Sequence, residues 1–305
     1  MQIYTITLNP AYDVHANAAS FQEGCENLAE ITSRQAGGKG VNISRGLWAN
    51  GIANTAVVVL GKDNADAFKQ ELNLAGLDVV YLERPGRIRE NLTLHCASKP
   101  ETRISFAGFS LDDRILQDIL DVLAVDADTI VTFSGRIATG ISLEKVKEFL
   151  LELKKRGAKL VLDSKSLSVD DIAEIKPWLI KPNQEELSDY AGCSVLTLED
   201  AARVARPLFG SGTEHVIVSM GEQGAALLTG DNTYMAVPPK VQTVSTVGAG
   251  DSTIAGFLAA FSEGASLPAC LKRAVAFGTA ACLTEGTLPP TKADVDAIYD
   301  QTDVK

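Results

Sequence analysis

The sequence has 305 residues, of which 46% are hydrophobic and 22% are charged, and its formal net charge is −11. A chain of this length can bury a sizeable core, as one large domain or two small ones. An acidic chain without a basic block is a poor ligand for nucleic acid or for a membrane surface, so we expect neither as a partner.

The five cysteines are scattered, and none belongs to a Cys-x-x-Cys pair. With only three histidines in the chain, a zinc site is not expected. Reduced thiols are typical of a cytoplasmic protein. The first residues have neither a basic start nor a long apolar stretch, so we expect no signal peptide. No stretch reaches the ~18 apolar residues that a membrane helix needs.

Short β-branched stretches alternate with stretches of helical spacing along most of the chain. The predicted strands are residues 3–8, 55–61, 77–82, 129–135, 158–164, 177–183 and 215–221. Helical patterns cover residues 36–51 (after a Gly-rich turn), 63–76, 143–157 and 198–210. This alternation indicates βαβ units, and therefore an α/β fold with a mainly parallel sheet that carries helices on both faces.

Two stretches, 14–36 and 87–106, break the alternation. Their polar and apolar residues alternate instead, which predicts antiparallel strands outside the main sheet. We interpret these two stretches as a small discontinuous β lid. Residues 1–13, 37–86 and 107–305 would then form the α/β core of a single domain.

Polar residues follow the ends of many predicted strands. They are Asn9, Asp13, Ser134, Gly135, Asp163, Ser164, Lys181, Asn183 and Ser219. The carboxyl ends of parallel strands meet at one edge of a sheet, where such folds bind their ligands. We therefore expect these residues to lie close together.

The stretch "AGGKGVNISRGLWANG" is a Gly-rich turn that opens a helix. Lys39 and Asn42 lie at the helix start, where anions are favoured. The spacing is not that of a Walker A loop. A tight strand-to-helix turn without a ligand is the alternative interpretation.

In "KPNQEEL", Asn183 and Glu186 are three residues apart, so they share one face if a helix begins there. Their oxygens could hold Mg²⁺ through its waters. The alternative is a helix cap with acidic residues in the first turn.

The stretch "SMGEQGAALL" (219–228) is typical of a strand, a Gly turn and a second strand. It could line a nucleotide, or it could be a plain hairpin.

Basic residues are scarce, yet several lie in the candidate site or the lid: Lys39, Arg89, Arg103, Arg136 and Lys181. Arginine forms bidentate hydrogen bonds with phosphate. Each of these side chains could instead be solvated, as most Lys and Arg are. As a group they suggest an anionic ligand in addition to a nucleotide.

The stretch "VSTVGAGDS" places Asp251 just before an apolar helical run. An ordinary helix start explains this pattern. In phosphoryl transfer, however, a carboxylate deprotonates the attacking hydroxyl while positioned donors and Mg²⁺ hold the phosphates. The amides of Ala249, Gly250 and Asp251 would then face the transferred group at a helix N-terminus. We favour this second interpretation because the other motifs agree with it.

The stretches "GGKGVNISRGLWANG" and "VSTVGAGDSTIAGFLAA" resemble the two signatures of the ribokinase-like carbohydrate kinases, the phosphofructokinase-B family. "TITLNPAYD", Arg89 with Asn91, "LDS" (162–164), "KPNQEEL" and "VIVSMGEQGA" are also similar to that family, in the same order. The resemblance implies a three-layer α/β/α sandwich with a β lid that often pairs two subunits. It implies ATP and Mg²⁺, and a phosphorylated ketohexose as substrate, with fructose 1-phosphate ahead of tagatose 6-phosphate.

The resemblance also implies roles for individual residues. Asp251 would be the catalytic base, beside an anion hole formed by Gly248, Ala249 and Gly250. The substrate would be bound by Asp13, Gly38, Lys39, Asn42, Arg89, Asn91 and Arg136. Mg²⁺ would be organised by Asn183 and Glu186. The nucleotide would be bound by Lys181, Asn183, Ser219, Gly221 and Gly224.

One stretch departs from the family pattern: "SGRIATG" stands where the family usually has "SGSLPxG". Arg136 would either strengthen the contact with the sugar phosphate or fill the pocket and change the sugar. Three alternatives to a phosphosugar kinase remain open. They are a kinase of an unphosphorylated sugar or nucleoside, a non-catalytic sugar-phosphate sensor and, least supported by the glycine spacing, a dinucleotide-dependent dehydrogenase.

Overall fold

The computed structural model describes residues 1–97, 99–210 and 212–305. Its strands are β1 (Gln2–Thr7), β2 (Ala11–Ala18), β3 (Ala29–Gly37), β4 (Thr55–Gly61), β5 (Asp78–Arg84), β6 (Arg89–Cys96), β7 (Lys99–Ile104), β8 (Thr129–Ser134), β9 (Lys159–Asp163), β10 (Leu179–Ile180), β11 (His215–Ser219), β12 (Ala225–Leu228), β13 (Thr233–Val237) and β14 (Asp303–Val304). Its α-helices are α1 (Lys39–Ala49), α2 (Ala65–Leu74), α3 (Arg114–Val122), α4 (Leu143–Lys155), α5 (Val169–Ile175), α6 (Gln184–Ala191), α7 (Leu198–Ala205), α8 (Pro207–Gly210), α9 (Ala249–Ser262), α10 (Leu267–Ala281) and α11 (Lys292–Gln301). No helix of the described residues is both long and apolar enough to cross a membrane.

The main sheet has the strand order β14-β13-β12-β11-β10-β9-β8-β1-β4-β5. The seven strands from β11 to β5 pair in parallel, and β12, β13 and β14 continue the sheet in antiparallel pairs. A parallel sheet covered on both faces needs strands that are apolar throughout. β4, with the sequence "TAVVVLG", is such a strand.

Helices cover both faces of this sheet. On one face, α3, α4, α5 and α7 pack around a core that includes Ile119 and Phe149. On the other face, α1, α9, α10 and α11 pack around a core that includes Leu47, Phe257 and Phe277. The layers form an α/β/α sandwich, which confirms the predicted fold class.

The lid is a separate sheet with the strand order β3-β2-β6-β7. Its outer pairs are antiparallel, as predicted, but β2 and β6 pair in parallel, so the prediction of purely antiparallel strands is wrong for the central pair. The reason is topological. β2 leaves the core after β1, and β6 leaves it after β5, so both start from the carboxyl edge of the same parallel sheet and run in the same direction.

Two predicted elements are shorter in the structure, and each lies next to a proline. The helix predicted over 198–210 divides into α7 and α8 at Pro207, which has no N–H for the continuing helix. The strand predicted over 177–183 contracts to Leu179–Ile180, between Pro177 and Pro182, because proline cannot donate to a sheet. The predicted turn between two strands over 219–228 is confirmed, since a 3₁₀ turn joins β11 to β12.

Candidate active site

A cavity of about 820 Å³ lies between the lid and the carboxyl edge of the main sheet. Most of the site residues chosen from the sequence line it: Asp13, Gly38, Lys39, Asn42, Arg89, Asn91, Arg136, Lys181, Asn183, Glu186, Ser219, Gly248, Gly250 and Asp251. The expectation that the polar strand ends meet at one edge is therefore confirmed. The cavity is the natural candidate for the active site.

Asp251 lies in the first turn of α9 and is only 6% exposed. The residue before α9, Gly248, has a φ of 80°, a left-handed conformation that glycine adopts without strain. Asn42 in α1 donates a hydrogen bond from Nδ2 to Asp251 Oδ2 over 2.8 Å. Burial raises the pKa of Asp251 to about 6, against the opposing effects of the Lys39 charge and the Asn42 hydrogen bond. A carboxyl group with such a pKa can accept a proton near neutral pH.

Asp163, at the end of β9, binds two lysines. Lys39 Nζ lies 2.8 Å from Asp163 Oδ2, and Lys181 Nζ lies 3.9 Å from the same oxygen. Burial alone would raise the pKa of Asp163, but the two lysines hold it below its usual value. Burial also tends to lower the pKa of Lys39, yet Asp163 and Asp251 raise it to about 12. The two lysines therefore share one buried carboxylate, and both also act electrostatically on Asp251.

The lid brings a second cluster of charged side chains to the cavity. Asn91 Nδ2 and Arg103 Nη2 both donate to Asp13 Oδ1, over 3.0 and 3.1 Å. Arg89 donates to the backbone carbonyls of Phe106 and Asn9 over 3.1 and 3.3 Å, and burial lowers its pKa. The lid therefore contributes one buried carboxylate and two guanidinium groups to the cavity.

Arg136 also lines the cavity, but it is exposed, and within the described parts of the chain it has no hydrogen bond or ion pair. The smaller Ala138, two residues on, is buried. The two expected consequences of Arg136, a stronger contact with the sugar phosphate or a change of sugar, stay predictions.

Several buried polar atoms of this cavity have no hydrogen-bond partner among the described residues: Thr7 Oγ1, Asn42 Oδ1, Arg89 Nε, Asn91 Oδ1 and Ser134 Oγ. Native proteins pair nearly all buried polar groups. These atoms include hydrogen-bond donors and acceptors, and the hydroxyl groups of a ligand can serve as partners for either.

Asn183 and Glu186 form a reciprocal helix cap. Glu186 N donates to Asn183 Oδ1 over 2.8 Å, and Asn183 N donates to Glu186 Oε2 over 2.9 Å. The capping interpretation of "KPNQEEL" is thus confirmed. The second carboxylate oxygen, Oε1, lies 3.7 Å from Lys165 Nζ, and both capping residues also line the cavity. Among the described residues, no group of three or more His, Cys, Asp or Glu side chains could hold a metal ion.

A second, less polar cavity of about 600 Å³ shares Ser219, Thr246 and Gly250 with the first. It contains the remaining predicted residues, Gly221, Gly224 and Ala249, and is closed by Pro238, Val241, Val275 and Cys282. Lys181 does not line this second cavity. Its Nζ instead lies 3.2 Å from the position that a Cβ on Gly250 would occupy, and Gly250 is one of the three residues that both cavities share.

Asp163 and Thr7 were not chosen as site residues from the sequence, although both line the cavity. The position of Asp163 at a strand end, in "LDS", was the signal available. Thr7 gave none, because the last residue of β1 has the pattern of any strand threonine. Arg103 was noted only for its charge, and its contact with Asp13 depends on a lid register that the pattern does not fix.

A buried carboxylate at a helix N-terminus, in a cavity lined by basic as well as acidic side chains under a lid, is an arrangement suited to phosphoryl transfer. Residues 5–294 match the pfkB family of carbohydrate kinases, and the chain belongs to that family. It is therefore a sugar kinase, a transferase.

Relatives of known name agree with this assignment. The chain is 32% identical to the 1-phosphofructokinase of Bacillus subtilis over 93% of each chain. It is 33% identical to the 1-phosphofructokinase of Escherichia coli, over 84% of this chain and 83% of the relative. Among solved structures, phosphofructokinase-2 from Escherichia coli, in complex with substrates and products, superposes with a TM-score of 0.89 at 29% identity, over 98% of this chain and 99% of the other.

Proposed function

We propose that the protein transfers a phosphoryl group from ATP to fructose 1-phosphate, giving fructose 1,6-bisphosphate. The observation that carries this proposal is Asp251, a buried carboxyl group with a pKa of about 6 that lines the first cavity, next to Gly250, which both cavities share. The relatives named 1-phosphofructokinase support the choice of substrate. The cationic side chains of the cavity favour a sugar that already carries a phosphate.

Both ATP and Mg²⁺ fit the residues present. The second cavity combines apolar walls with Gly221, where a Cβ would meet nothing within 4 Å, so that a base or ribose can approach the backbone closely. Gly224 lines the same cavity but is needed for close packing against the Ala236 backbone. Glu186 Oε1 is not used in the helix cap, and Asn183 Oδ1 accepts one hydrogen bond there, which leaves it a second lone pair for a metal-bound water. We propose that Glu186 and Asn183 hold Mg²⁺ through its waters and that Lys181, with Ser219, contacts the phosphates. When bound, Mg²⁺ would neutralise charge on the phosphates.

In this proposal, Asp251 accepts the proton of the sugar hydroxyl that attacks the phosphoryl group. The N–H groups at the start of α9 stabilise the transferred group as charge develops on it. Those of Gly250 and Asp251 are the main donors, because the Ala249 N–H also donates to the Thr246 carbonyl over 3.3 Å. Lys39, held by Asp163, supplies positive charge nearby.

The phosphosugar would be bound between the lid and the core. Asp13, Gly38, Asn42 and Asn91 would bind its hydroxyl groups, which supply partners for the unpaired Asn42 and Asn91 oxygens. Its phosphate would be bound by Arg89 and Arg136, with Lys39 and Arg103 close by.

A second candidate substrate is a 6-phosphorylated ketohexose such as tagatose 6-phosphate or fructose 6-phosphate. The structural relative phosphofructokinase-2 from Escherichia coli is described in complex with fructose-6-phosphate, with a TM-score of 0.89. A sugar-phosphate sensor without activity is disfavoured by the position of Asp251.

We also propose a homodimer formed through the lid and a cytoplasmic location. The lid edge exposes Leu28 and Ile31, by 93% and 66%, and the related phosphofructokinase-2 is described in a tetrameric form. Cys25, Cys193, Cys270 and Cys282 are free thiols, which suits a reducing compartment.

The test of the activity is a panel assay of ADP release with Mg-ATP. The panel contains fructose 1-phosphate, fructose 6-phosphate, tagatose 6-phosphate, fructose, ribose and adenosine. We expect the highest kcat/KM with fructose 1-phosphate. A preference for a 6-phosphate would select the second candidate, and turnover of neutral sugars alone would refute the proposed phosphate site.

A further inference from the structure

Three buried residues of the lid, which we call its feet, pack against one helix of the core. Tyr12 in β2, Ala36 in β3 and Ile88, which precedes β6, are buried in a single hydrophobic cluster with the inner face of α2. The rings of Tyr12 and Phe68 meet edge to face, with 5.4 Å between their centroids. The fourth lid strand, β7, pairs with β6 and follows it. The whole lid is therefore connected to α2.

Asn64 holds two of these feet by hydrogen bonds. It is the N-cap residue of α2, but its side chain makes no capping bond. Instead, Nδ2 donates to the Ile88 carbonyl over 3.0 Å, and Oδ1 accepts from the Ile88 N–H over 2.8 Å. The Tyr12 hydroxyl donates to the Asn64 carbonyl over 2.9 Å. An asparagine that caps a helix would stabilise it, so this alternative use of the side chain requires another explanation.

Glu71, two turns further along α2, holds the third foot. Its Oε2 accepts from the Ala36 N–H over 2.8 Å, and its Oε1 binds Arg45 Nη2 over 2.5 Å. Arg45 Nη1 in turn donates to the Ala36 carbonyl over 2.5 Å. Both backbone groups of Ala36 are thus fixed by side chains, just as both backbone groups of Ile88 are.

Each foot lies directly before residues of the proposed substrate site. Ile88 precedes Arg89, and Ala36 precedes the Gly37–Lys39 segment. The fit there is close, because a Cβ on Gly37 would lie 2.4 Å from Asp13 Oδ2. A small shift of either foot would therefore move a substrate-binding group or crowd the Asp13 carboxylate.

We propose that Asn64 and Glu71 are positioning residues, which set the lid on α2 at the distance that phosphosugar binding requires. This inference rests on the proposed function, in which the lid residues bind the phosphosugar. Neither residue lines either of the two cavities, so both act only through the feet.

The test compares Asn64→Ala with the matched control Asn73→Ala. Asn73 lies on the same helix and also accepts a side-chain hydrogen bond, from Tyr81, but it is remote from the feet. Loss of the two partly buried hydrogen bonds between Asn64 and Ile88 should raise KM for the phosphosugar about tenfold. It should leave KM for ATP unchanged and speed amide hydrogen exchange at Ile88 and along β6. Glu71→Gln, which keeps an acceptor for Ala36, should give a smaller rise in KM and faster exchange in β3.

The exchange measurement needs no substrate, so it separates two kinds of failure. If no sugar of the panel is turned over, the proposed function fails, while faster exchange confined to the lid would still support the anchoring role. The inference is overturned if Asn64→Ala leaves exchange in β6 unchanged, or raises both KM values by the same factor. It is also overturned if Asn73→Ala has the same effects. Should Asn64→Ala not fold, Asn64→Asp keeps the acceptor for the Ile88 N–H and removes the donor, and the same criteria apply.

Discussion

Asp251 is the residue on which the proposed reaction depends, and its environment makes its removal informative. We expect Asp251→Asn to lower kcat by about 10²-fold or more, the usual contribution of a general base. Asparagine has nearly the same shape, so phosphosugar binding should persist. Steady-state kinetics and titration calorimetry measure the two effects. Unchanged turnover would mean that another group accepts the proton.

The raised pKa of Asp251 predicts a pH dependence of both rate and stability. Activity requires the ionised form, so kcat/KM should rise with pH and level off above the pKa of about 6. Asn42 stabilises the ionised form, so Asn42→Ala should raise the pKa of Asp251 and move the rising limb of the pH–rate profile to higher pH. A pH–rate profile of each protein is the measurement, and a limb at the same pH in both would contradict the assignment.

The same group should lower stability at neutral pH. A carboxyl group whose pKa is higher in the folded state stabilises the fold while it is protonated, and that contribution disappears as the pH rises through about 6. We therefore expect Asp251→Asn to have a higher Tm than the wild type at pH 7. The difference in Tm should shrink on acidification towards pH 4, and thermal unfolding at both pH values checks it.

Arg136 is the residue in which this chain departs from the usual family pattern. It is exposed at the rim of the cavity and has no partner among the described residues, so its removal should leave the fold intact. We expect Arg136→Ser to raise KM for the phosphosugar about tenfold, the order of one charge-assisted hydrogen bond. KM for ATP should not change. Equal kinetics of the two proteins would exclude Arg136 from the phosphate site.

At the scale of elements, the close packing of α9 against α10 fixes the position of the proposed catalytic helix. A Cβ on Gly256 would lie 2.6 Å from the Arg273 carbonyl oxygen and 2.8 Å from Phe277 Cβ. Gly256→Ala should therefore lower the free energy of unfolding by about 2 kcal/mol, as overpacked cores do. Chemical denaturation measures this effect.

The control for this prediction is Gly230→Ala. The added methyl at Gly230 meets nothing within 4 Å, and its backbone is not in the left-handed region. The stability of this variant should change little. Similar losses in both variants would show that packing between the helices is not the cause.

The sequence predicted the elements better than their pairings. Apolar runs such as β4 identify buried strands by composition alone, and strand ends such as Asp163 identify the edge where the site lies. The parallel pairing of β2 with β6 was not predictable, because it depends on two segments far apart in the chain that leave the core at the same edge. The hydrogen bonds of Asn64 were not predictable either, because an asparagine before a helix normally indicates a cap.

For the whole molecule, the proposed lid dimer predicts a change of mass in solution. Ile31 is 66% exposed on β3, so an aspartate there would not disturb the core. We expect the wild type to sediment as a dimer or larger and Ile31→Asp to shift towards the monomer. Analytical ultracentrifugation makes this comparison, with Lys155→Asp on the exposed end of α4 as a control for added negative charge. A monomeric wild type would refute the dimer.

The discontinuous lid has a consequence for the order in which the protein is built. β2 pairs with β6, beginning at Ala11 and Arg89. The lid sheet therefore cannot form over the cavity until the ribosome has synthesised β6. The proposed base follows much later, at Asp251. A nascent chain can therefore assemble the lid part of the proposed sugar site long before it contains the proposed base.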